Sequence, residues 1–357
     1  MNIKVVPVTD AEKRRPPESF SFGSTFSPHM FTQTWKVGEG WQDATIGPYG
    51  PFSLPPSTAV LHYGQEIFEG TKAYRRPDGD INLFRPWENA LRFNRSAARM
   101  AMPAVDPESH VEAMVQLIAL DHAWVPRREL GTLYIRPTMI ATEPALGVRA
   151  SQSYLHFIMT GPTGSYFANA SKPLAVYISD EYVRAVRGGT GAAKTGGNYA
   201  ASLLVTEEAA AKGFQQVLWL DGVERRYVEE VGAMNIAFAY GKHIVTPTLT
   251  GTILPGITRD SVLKLAPDLG FEISEERLDV HQILKDIASG KVTEAFGIGT
   301  AAVIAPVGRF GYQGQDYIVG GNEVGPVAAG LRTALTDIQY GSAPDPYGWT
   351  LRVPARD

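Results

Sequence analysis

Short alternating runs of apolar and polar residues dominate the first half of the chain. Residues 71–84 (TKAYRRPDGDINLF) form two strand-like runs around a Pro-Asp-Gly-Asp turn, which predicts a β-hairpin. A helix is predicted to begin at Pro86 and to end before Pro103, because proline is favoured in the first helical turn and disrupts later ones. The apolar residues that recur near helical spacing between these prolines are Trp87, Leu91, Ala98 and Met102. Asp106 and Pro107 predict the cap and the first residue of a second helix.

The second half of the chain follows a segment rich in Gly, Pro, Ser and Asn. Residues 153–159 and 174–178 predict two strands, and the sequence GPTGSYFANASKP lies between them. We therefore predict a smaller N-terminal α+β domain over residues 1–163, a linker over residues 164–173 and a larger C-terminal α+β domain over residues 174–357.

The larger domain mixes strands and helices without strict alternation. A helix is predicted from Tyr199 to Lys212, followed by a buried strand at residues 217–220 (VLWL) and an alternating run at residues 227–247. Two more helices are predicted, one after Pro255-Gly256 and one over residues 327–338. The pattern is that of an α+β protein and differs from a doubly wound α/β sheet.

The composition is typical of a globular protein and excludes several kinds of site. The 357 residues are 44% apolar and 20% charged, with a formal net charge of -4. The absence of cysteine excludes disulfides, thiolate zinc sites and cysteine nucleophiles, and the seven histidines show no metal-ligand spacing. The N-terminus has no apolar leader core, and no apolar run reaches the roughly 18 residues of a membrane span. We therefore expect a cytoplasmic protein without nucleic-acid or membrane partners.

Lys194 stands in a glycine-rich segment, residues 187–204 (RGGTGAAKTGGNYAASLL). One interpretation is a phosphate-binding loop, because GGTGAAKT is close to the pattern G-x-x-x-x-G-K-[ST]. Ala193 replaces the glycine of that pattern, however, and Gly196 and Gly197 disfavour a helix where the phosphate helix begins. A second interpretation is an amine nucleophile, because small neighbours let a lysine lie close to a planar cofactor and form a Schiff base. The third is a surface lysine on a flexible loop, which is the default for an isolated lysine.

Seven motifs along the chain favour the amine nucleophile. They are FEGTKAYR (68–75), LYIRP (133–137), GTGAAKTGGNYAASLL (189–204), QQVLWLDG (215–222), EEVGAMN (229–235), LPGITRD (254–260) and FGIGTAA (296–302). In this order they resemble the branched-chain aminotransferases, which are fold-type IV pyridoxal-phosphate enzymes. The resemblance implies the two-domain α+β fold of the D-amino acid aminotransferase type, pyridoxal 5'-phosphate as cofactor, and a homodimer with shared active sites.

The resemblance also implies a reaction and a set of cofactor contacts. L-Leucine, L-isoleucine or L-valine would react with 2-oxoglutarate to give a branched-chain 2-oxo acid and L-glutamate. Lys194 would be the catalytic residue, which binds the cofactor and moves the proton once it is released. Glu230 would contact the pyridine nitrogen, while Glu229 faces the other side because successive side chains of a strand alternate. The other expected cofactor contacts are Arg92 to the phosphate, Tyr199 to the phenolic oxygen, Ile257 and Thr258 at a helix start, and Thr300.

The expected substrate pocket is also implied by the resemblance. Its wall would consist of Phe68, Tyr134, Arg136 and Tyr166 from one subunit and of Tyr63 and Val148 from the partner, with the Ala301 amide on the substrate carboxylate. Aromatic walls suit the apolar side chains of leucine, isoleucine and valine. Arg136 would receive the side-chain carboxylate of glutamate.

Other functions remain open at this point. Within the same fold they are a D-amino acid transaminase, an amine transaminase and an aminodeoxychorismate lyase. The long N-terminal segment and the arginine of LYIRP favour the branched-chain interpretation by analogy. Outside the fold they are a nucleotide hydrolase, which requires magnesium-dependent turnover, and a non-catalytic binding module, whose ligand binding survives the loss of Lys194.

Overall fold

Residues 2–9, 16–164 and 172–354 are described by the computed structural model, and they divide into two units. The first unit is built from the described residues of Met1–Tyr166 together with Ala193–Gly196 and Asp337–Asp357. The second is built from those of Phe167–Ala192 and Gly197–Thr336. Lys194 therefore belongs to the first unit, although its neighbours on both sides in sequence belong to the second.

The predicted domain boundary falls mostly outside the described residues. Residues 165–171 of the predicted linker are not among them, so the linker stays a prediction. Two segments within the predicted C-terminal domain, Ala193–Gly196 and Asp337–Asp357, cluster with the first unit. Sequence order does not reveal this arrangement, because it depends on contacts between distant parts of the chain.

Within the described residues, the first unit contains a nine-stranded sheet. Its strands are β1 (Lys4–Val5), β2 (His29–Lys36), β3 (Gly40–Pro48), β4 (Glu66–Phe68), β5 (Thr71–Arg75), β6 (Ile81–Phe84), β7 (Thr132–Ala141), β8 (Ser153–Thr163) and β18 (Thr350–Val353). They lie in the order β1-β3-β2-β8-β7-β5-β6-β18, with β4 beside β7. The β1–β3 pair is parallel and the other pairs are antiparallel, so the predicted hairpin is confirmed as β5–β6.

The helices of the first unit are α1 (Ala59–Tyr63), α2 (Pro86–Arg99) and α3 (Pro107–Leu120), with a 3-10 turn at His122–Trp124. Helix α3 begins as predicted, with the Asp106 carboxylate accepting a hydrogen bond from the Ser109 amide at 2.9 Å. Helix α2 also begins at the predicted proline. Two of its recurring apolar residues, Trp87 and Leu91, are nevertheless 43% and 48% exposed, and its buried side carries Arg92 among small and aromatic residues.

The second unit also contains a nine-stranded sheet within the described residues. Its strands are β9 (Leu174–Ile178), β10 (Gln216–Leu220), β11 (Val228–Val231), β12 (Asn235–Tyr240), β13 (His243–Pro247), β14 (Glu272–Glu276), β15 (Glu294–Gly299), β16 (Val303–Tyr312) and β17 (Gln315–Ile318). They lie in the order β11-β10-β9-β16-β15-β12-β13-β14, with β17 beside β16. The pairs β9–β10, β9–β16 and β13–β14 are parallel and the others are antiparallel, as expected of a mixed α+β sheet.

The remaining helices are α4 (Gly196–Ala200), α5 (Leu203–Ala211), α6 (Ile257–Asp268), α7 (Val280–Ala288) and α8 (Pro326–Tyr340), with a 3-10 turn at Gly320–Asn322. Helices α6 and α8 were predicted, α7 was not, and the single helix predicted over residues 199–212 is divided into α4 and α5. In the portion of the chain that the structure describes, we find no helix with the length and apolarity that crossing a membrane requires.

Helix α4 corrects the interpretation of the glycines after Lys194. Gly196 and Gly197 lie in its first turn, so their low helix propensity did not prevent a helix there. Gly196 is explained by a close approach instead, since a Cβ at this position would lie 2.1 Å from a carboxylate oxygen of Glu66. The surroundings also differ from a phosphate-binding loop, because β9 ends at Ile178, well before Lys194, whereas such a loop directly follows its strand.

Candidate active site

Lys194 lies on a short segment whose backbone is anchored to β4 and α2. Its amide donates to the Ser96 hydroxyl at 2.9 Å, and its carbonyl accepts from the Phe68 amide at 3.0 Å. The neighbouring Thr195 hydroxyl donates to the Glu66 carbonyl at 2.7 Å. These bonds fix the position of the Lys194 backbone, so the side-chain torsions are the main freedom left to the amine.

The structure brings four of the predicted site residues together around the Phe68 ring. The Lys194 Nζ lies 4.9 Å from the ring centroid, and the Arg136 Cζ lies 4.7 Å from it. Arg136 also donates to the Tyr134 hydroxyl at 3.2 Å. A Cβ on Gly70 would lie 1.9 Å from that hydroxyl, so only glycine allows Tyr134 this position.

A buried ion pair lies beside the lysine, and only one of its two residues, Arg92, was predicted from the sequence. The Arg92 guanidinium donates to both oxygens of Glu69, at 2.7 and 2.8 Å, and the Gly70 amide donates to Glu69 at 3.1 Å. Burial acts to raise the pKa of Glu69, but the charge and hydrogen bonds of Arg92, with a smaller effect of Lys194, lower it overall. Glu69 was not assigned a role from the sequence. One edge of Arg92 is occupied by Glu69, and the predicted contact of Arg92 with the cofactor phosphate stays a prediction.

The residues predicted to be offered by a partner subunit lie at the surface of the first unit. Tyr63, at the end of α1, is 42% exposed, and its hydroxyl donates to the Leu146 carbonyl. Val148 lies in the same loop as Leu146 and is 86% exposed. The structure therefore brings Tyr63 and the Val148 loop together, while Tyr166 lies outside the described residues.

The second unit contains a second buried pair, between Glu230 of β11 and Arg184. The Arg184 Nη1 lies 2.7 Å from the Glu230 Oε2, and both side chains are buried. Arg184 also donates to the Thr252 carbonyl at 2.9 Å, and the Asn235 side chain donates to the Glu230 Oε1 at 3.3 Å. Sequence reasoning missed Arg184, because nothing in the spacing of the two residues connects them. A guanidinium at this distance stabilises the charged form of the carboxylate.

Glu229 and Glu230 contact different groups, as expected for neighbours on a strand. The Glu229 carboxylate accepts from the Thr252 hydroxyl, whereas Glu230 faces Arg184. Burial raises the pKa of Glu229, and the hydrogen bond from Thr252 opposes the rise without cancelling it. Glu230 is therefore the member of the pair that has a cationic partner at contact distance.

The start of α6 forms a position suited to an anion. Its N-cap is Gly256, which has no side chain with which to cap the helix. Thr258 is buried in the first turn, next to Ile257. Helix N-termini carry partial positive charge, so this end of α6 suits a phosphate group.

The two remaining cofactor residues and the Ala301 amide lie at element ends in the second unit. Tyr199 is half-buried in α4, and Thr300 and Ala301 are half-buried in the turn after β15. A buried carboxylate with a cationic partner and a helix start suit the pyridine nitrogen and the phosphate of pyridoxal phosphate. The anchored lysine of the first unit fits its carbonyl group.

Comparison with known proteins identifies the family. The family model Amino-transferase class IV matches residues 66–310, which is more than half of the chain. The probable branched-chain-amino-acid aminotransferase of Streptomyces coelicolor is 51% identical over 344 residues, which cover 96% of this chain and 95% of the relative. Branched-chain-amino-acid transaminase 1 of Bacillus subtilis is 48% identical over 343 residues, or 96% of either chain.

Solved structures agree with this assignment. The branched-chain amino acid aminotransferase of Escherichia coli matches with a TM-score of 0.75 and 30% identity, covering 90% of this chain and 99% of that chain. The T.th. branched-chain amino acid aminotransferase in complex with N-(5'-phosphopyridoxyl)-L-glutamate matches with a TM-score of 0.73 and 29% identity, covering 90% and 98%. The chain therefore belongs to the class IV aminotransferases, and its mixed α+β fold is the fold-type IV fold that the motifs predicted.

Proposed function

We propose that this chain transfers the amino group of L-leucine, L-isoleucine and L-valine to 2-oxoglutarate, with pyridoxal 5'-phosphate as its cofactor. Relatives that are 46 to 51% identical over nearly the whole chain are branched-chain-amino-acid aminotransferases. The observation that carries the proposal is the arrangement around Phe68, where an anchored lysine and an arginine lie on the same aromatic ring.

Different residues of the chain are proposed to hold different groups of the cofactor. When bound, pyridoxal phosphate supplies an electron-withdrawing ring that makes the α-proton of an amino acid removable. Lys194 would provide the amine that attaches it, and Glu230, with Arg184 at contact distance, would stabilise a protonated pyridine nitrogen. The start of α6 would hold the phosphate, through the Ile257 amide and Thr258. The further contacts that we propose are Arg92, Tyr199 and Thr300.

We propose that Lys194 also moves the proton between the α-carbon of the substrate and a carbon of the cofactor. General acid–base catalysis requires a group within hydrogen-bond reach of both positions. The anchors at Ser96 and Phe68 hold the Lys194 backbone, so the amine reaches successive positions by side-chain rotation alone. The Phe68 ring lies beside the amine, with its centroid 4.9 Å from the Lys194 Nζ.

The proposed substrate contacts explain how one pocket accepts apolar and charged amino acids. Phe68 and Tyr134 present aromatic surface, which suits branched aliphatic side chains. Arg136 lies on the same surface, and its Nε is buried without a hydrogen-bond partner among the described residues. A carboxylate bound at Arg136 would provide that partner, so we assign the side chain of glutamate to this position. The α-carboxylate is assigned to the Ala301 amide, and Tyr166 is a further proposed wall residue.

We infer further that the enzyme is a homodimer in the cytoplasm. The exposure of Tyr63 and Val148 supports the first inference, because side chains with this much free surface are available to line a partner's pocket. A variant that is monomeric by size-exclusion chromatography is expected to be inactive, and a fully active monomer would contradict the shared site.

The absorption spectrum of the purified protein tests the proposed function directly. We expect a cofactor band near the visible edge that L-leucine shifts, that D-alanine leaves unchanged and that Lys194→Ala abolishes. Lys36→Ala, at an exposed lysine of the same unit, is the matched control and should retain the band. A band that responds only to D-alanine would overturn the substrate assignment. No band after incubation with pyridoxal phosphate would contradict the cofactor.

A further inference from the structure

Glu66 shares one face of the first sheet with the proposed substrate residues. In β4, Glu66 and Phe68 are half-buried, whereas Ile67 between them is fully buried. In β7, Tyr134 and Arg136 lie on the corresponding half-buried face. The register pairs β4 antiparallel with β7, so these side chains project to the same side.

Arg136 has no acidic partner of its own among the described residues. Its polar contact there is the Tyr134 hydroxyl, and its guanidinium otherwise lies over the Phe68 and Tyr134 rings, 4.7 and 5.2 Å from their centroids. A charge that does not touch Arg136 can still act on it over several ångströms. Glu66 is such a charge, since it lies two residues from Phe68 on the same face, a spacing of about 7 Å along a strand.

Glu66 is fixed in place by contacts that have nothing to do with Arg136. Its carboxylate accepts a hydrogen bond from the Gly196 amide, and its carbonyl accepts from the Thr195 hydroxyl at 2.7 Å. Burial raises the pKa of Glu66, and the Gly196 amide and the charge of Arg136 oppose that rise. The carboxylate thus interacts electrostatically with Arg136 while it is bound to the segment that carries Lys194.

We propose that Glu66 determines the balance between charged and apolar substrates at Arg136. The proposal rests on the function proposed above, in which Arg136 receives the side-chain carboxylate of glutamate. The negative charge of Glu66 lowers the positive potential at Arg136, so a second carboxylate binds less tightly than it would to an isolated guanidinium. An apolar side chain has no charge, so the lower potential at Arg136 does not change its affinity. Glu66 therefore keeps glutamate from excluding the branched-chain substrates.

Glu66→Gln separates this effect from the anchoring of the lysine segment. A glutamine oxygen still accepts the hydrogen bond from the Gly196 amide, but the charge is gone. With unit charges about 7 Å apart at an effective dielectric constant of 20 to 40, the loss of repulsion corresponds to a change of about sevenfold to fiftyfold in affinity. The variant should therefore bind a dicarboxylate more tightly and an apolar monocarboxylate as before.

The experiment measures dissociation constants of two non-reacting acids on the holoenzyme, by calorimetry. The probes are glutarate, which carries a side-chain carboxylate, and 4-methylpentanoate, which does not. We expect Glu66→Gln to tighten glutarate at least sevenfold and to change 4-methylpentanoate by less than a factor of two. Glu39→Gln, at an exposed glutamate of the same unit that pairs with Lys36, is the matched control and should change neither.

Two other results would overturn the proposal. If both acids change by the same factor in Glu66→Gln, the residue acts through the lysine segment alone. If neither changes, its charge has no influence on binding. Arg136→Leu identifies a failure of the proposed function instead: when this variant binds glutarate as tightly as the unmodified enzyme, Arg136 is not the carboxylate receptor, and both assignments fall.

Discussion

The two units each contain a buried arginine–glutamate pair, and the pairs differ in geometry. In the first unit, Arg92 and Glu69 form a bidentate pair in which both carboxylate oxygens accept from the guanidinium. In the second unit, the Arg184 Nη1 forms an ion pair with the Glu230 Oε2 at 2.7 Å, and Arg184 donates hydrogen bonds to the Thr252 and Gly191 carbonyls.

We expect the loss of the Arg92–Glu69 pair to affect mainly stability and the loss of the Arg184–Glu230 pair to affect mainly catalysis. In a bidentate pair, both carboxylate oxygens accept hydrogen bonds from the guanidinium, which adds energy and fixes the geometry of the two side chains. The Glu230 carboxylate has the Arg184 Nη1 at 2.7 Å from its Oε2 and the Asn235 side chain at 3.3 Å from its Oε1. We propose that Glu69 holds the surroundings of Lys194 in place, beside the role proposed above for Glu230 at the cofactor nitrogen.

The largest effect that tests this comparison is expected in stability, from Glu69→Gln. The substitution leaves the buried charge of Arg92 without its partner, and breaking such a pair costs about 3 to 5 kcal/mol in the free energy of unfolding. Denaturant unfolding measures the loss. Glu39→Gln is the control, because Glu39 pairs with Lys36 at the surface, where an ion pair contributes little to stability. A Glu69 variant as stable as the control would show that the first pair is not structural.

The second effect is expected in catalysis, from Glu230→Gln. Losing one preorganised electrostatic contact lowers kcat by about 10²- to 10³-fold. The stability loss should be smaller than for Glu69→Gln, because Arg184 keeps the Gly191 and Thr252 carbonyls as acceptors. Steady-state kinetics and denaturant unfolding on the same preparation measure both quantities. An unchanged kcat together with the larger stability loss would exchange the roles of the two pairs.

Sequence analysis predicted the elements that have local signals. The hairpin β5–β6 has its turn residues, and α2, α3 and α6 have a proline, an aspartate cap or a glycine at their starts. The division of the helix over residues 199–212 and the exposure of Trp87 and Leu91 were not predictable in this way. Helical spacing shows that a helix forms, but its buried face depends on which other elements pack against it.

The site residues that lie within the motifs were predictable from the sequence. The motifs brought Phe68, Tyr134, Arg136 and Lys194 into one hypothesis, and the structure places Arg136 and Lys194 over the Phe68 ring and Arg136 over the Tyr134 ring. The partners of the site residues were not predictable, because Arg184, in the segment after β9, meets Glu230 of β11 only through the fold. The same holds for Glu66, whose contact with Gly196 joins residues far apart in the sequence.

The surroundings of the first pair also include two buried imidazoles. His110 stacks on His156, with ring centroids 5.0 Å apart, and packs against Phe93 at the same distance. Neither ring nitrogen of His110 has a hydrogen-bond partner among the described residues. Burial lowers the pKa of His110 to about 4, although the charge of Glu69 acts in the opposite direction.

The third and smallest effect is therefore a loss of stability in acid. The pKa of His110 is about 4 in the folded state and near 6.5 when exposed, so the unfolded chain binds more protons between these values. Stability is complete above pH 6.5 and decreases as the pH falls towards 4, by roughly 3 kcal/mol from this residue. We expect His110→Phe to flatten the dependence of the unfolding free energy on pH, leaving the contribution of His156, and His62→Phe at an exposed position to leave it as it is. Because the charge of Glu69 acts to raise the pKa of His110, Glu69→Gln should steepen this dependence on pH, whereas Glu230→Gln in the second unit should leave it unchanged. A slope that His110→Phe leaves intact would mean that other groups cause the acid sensitivity of this unit.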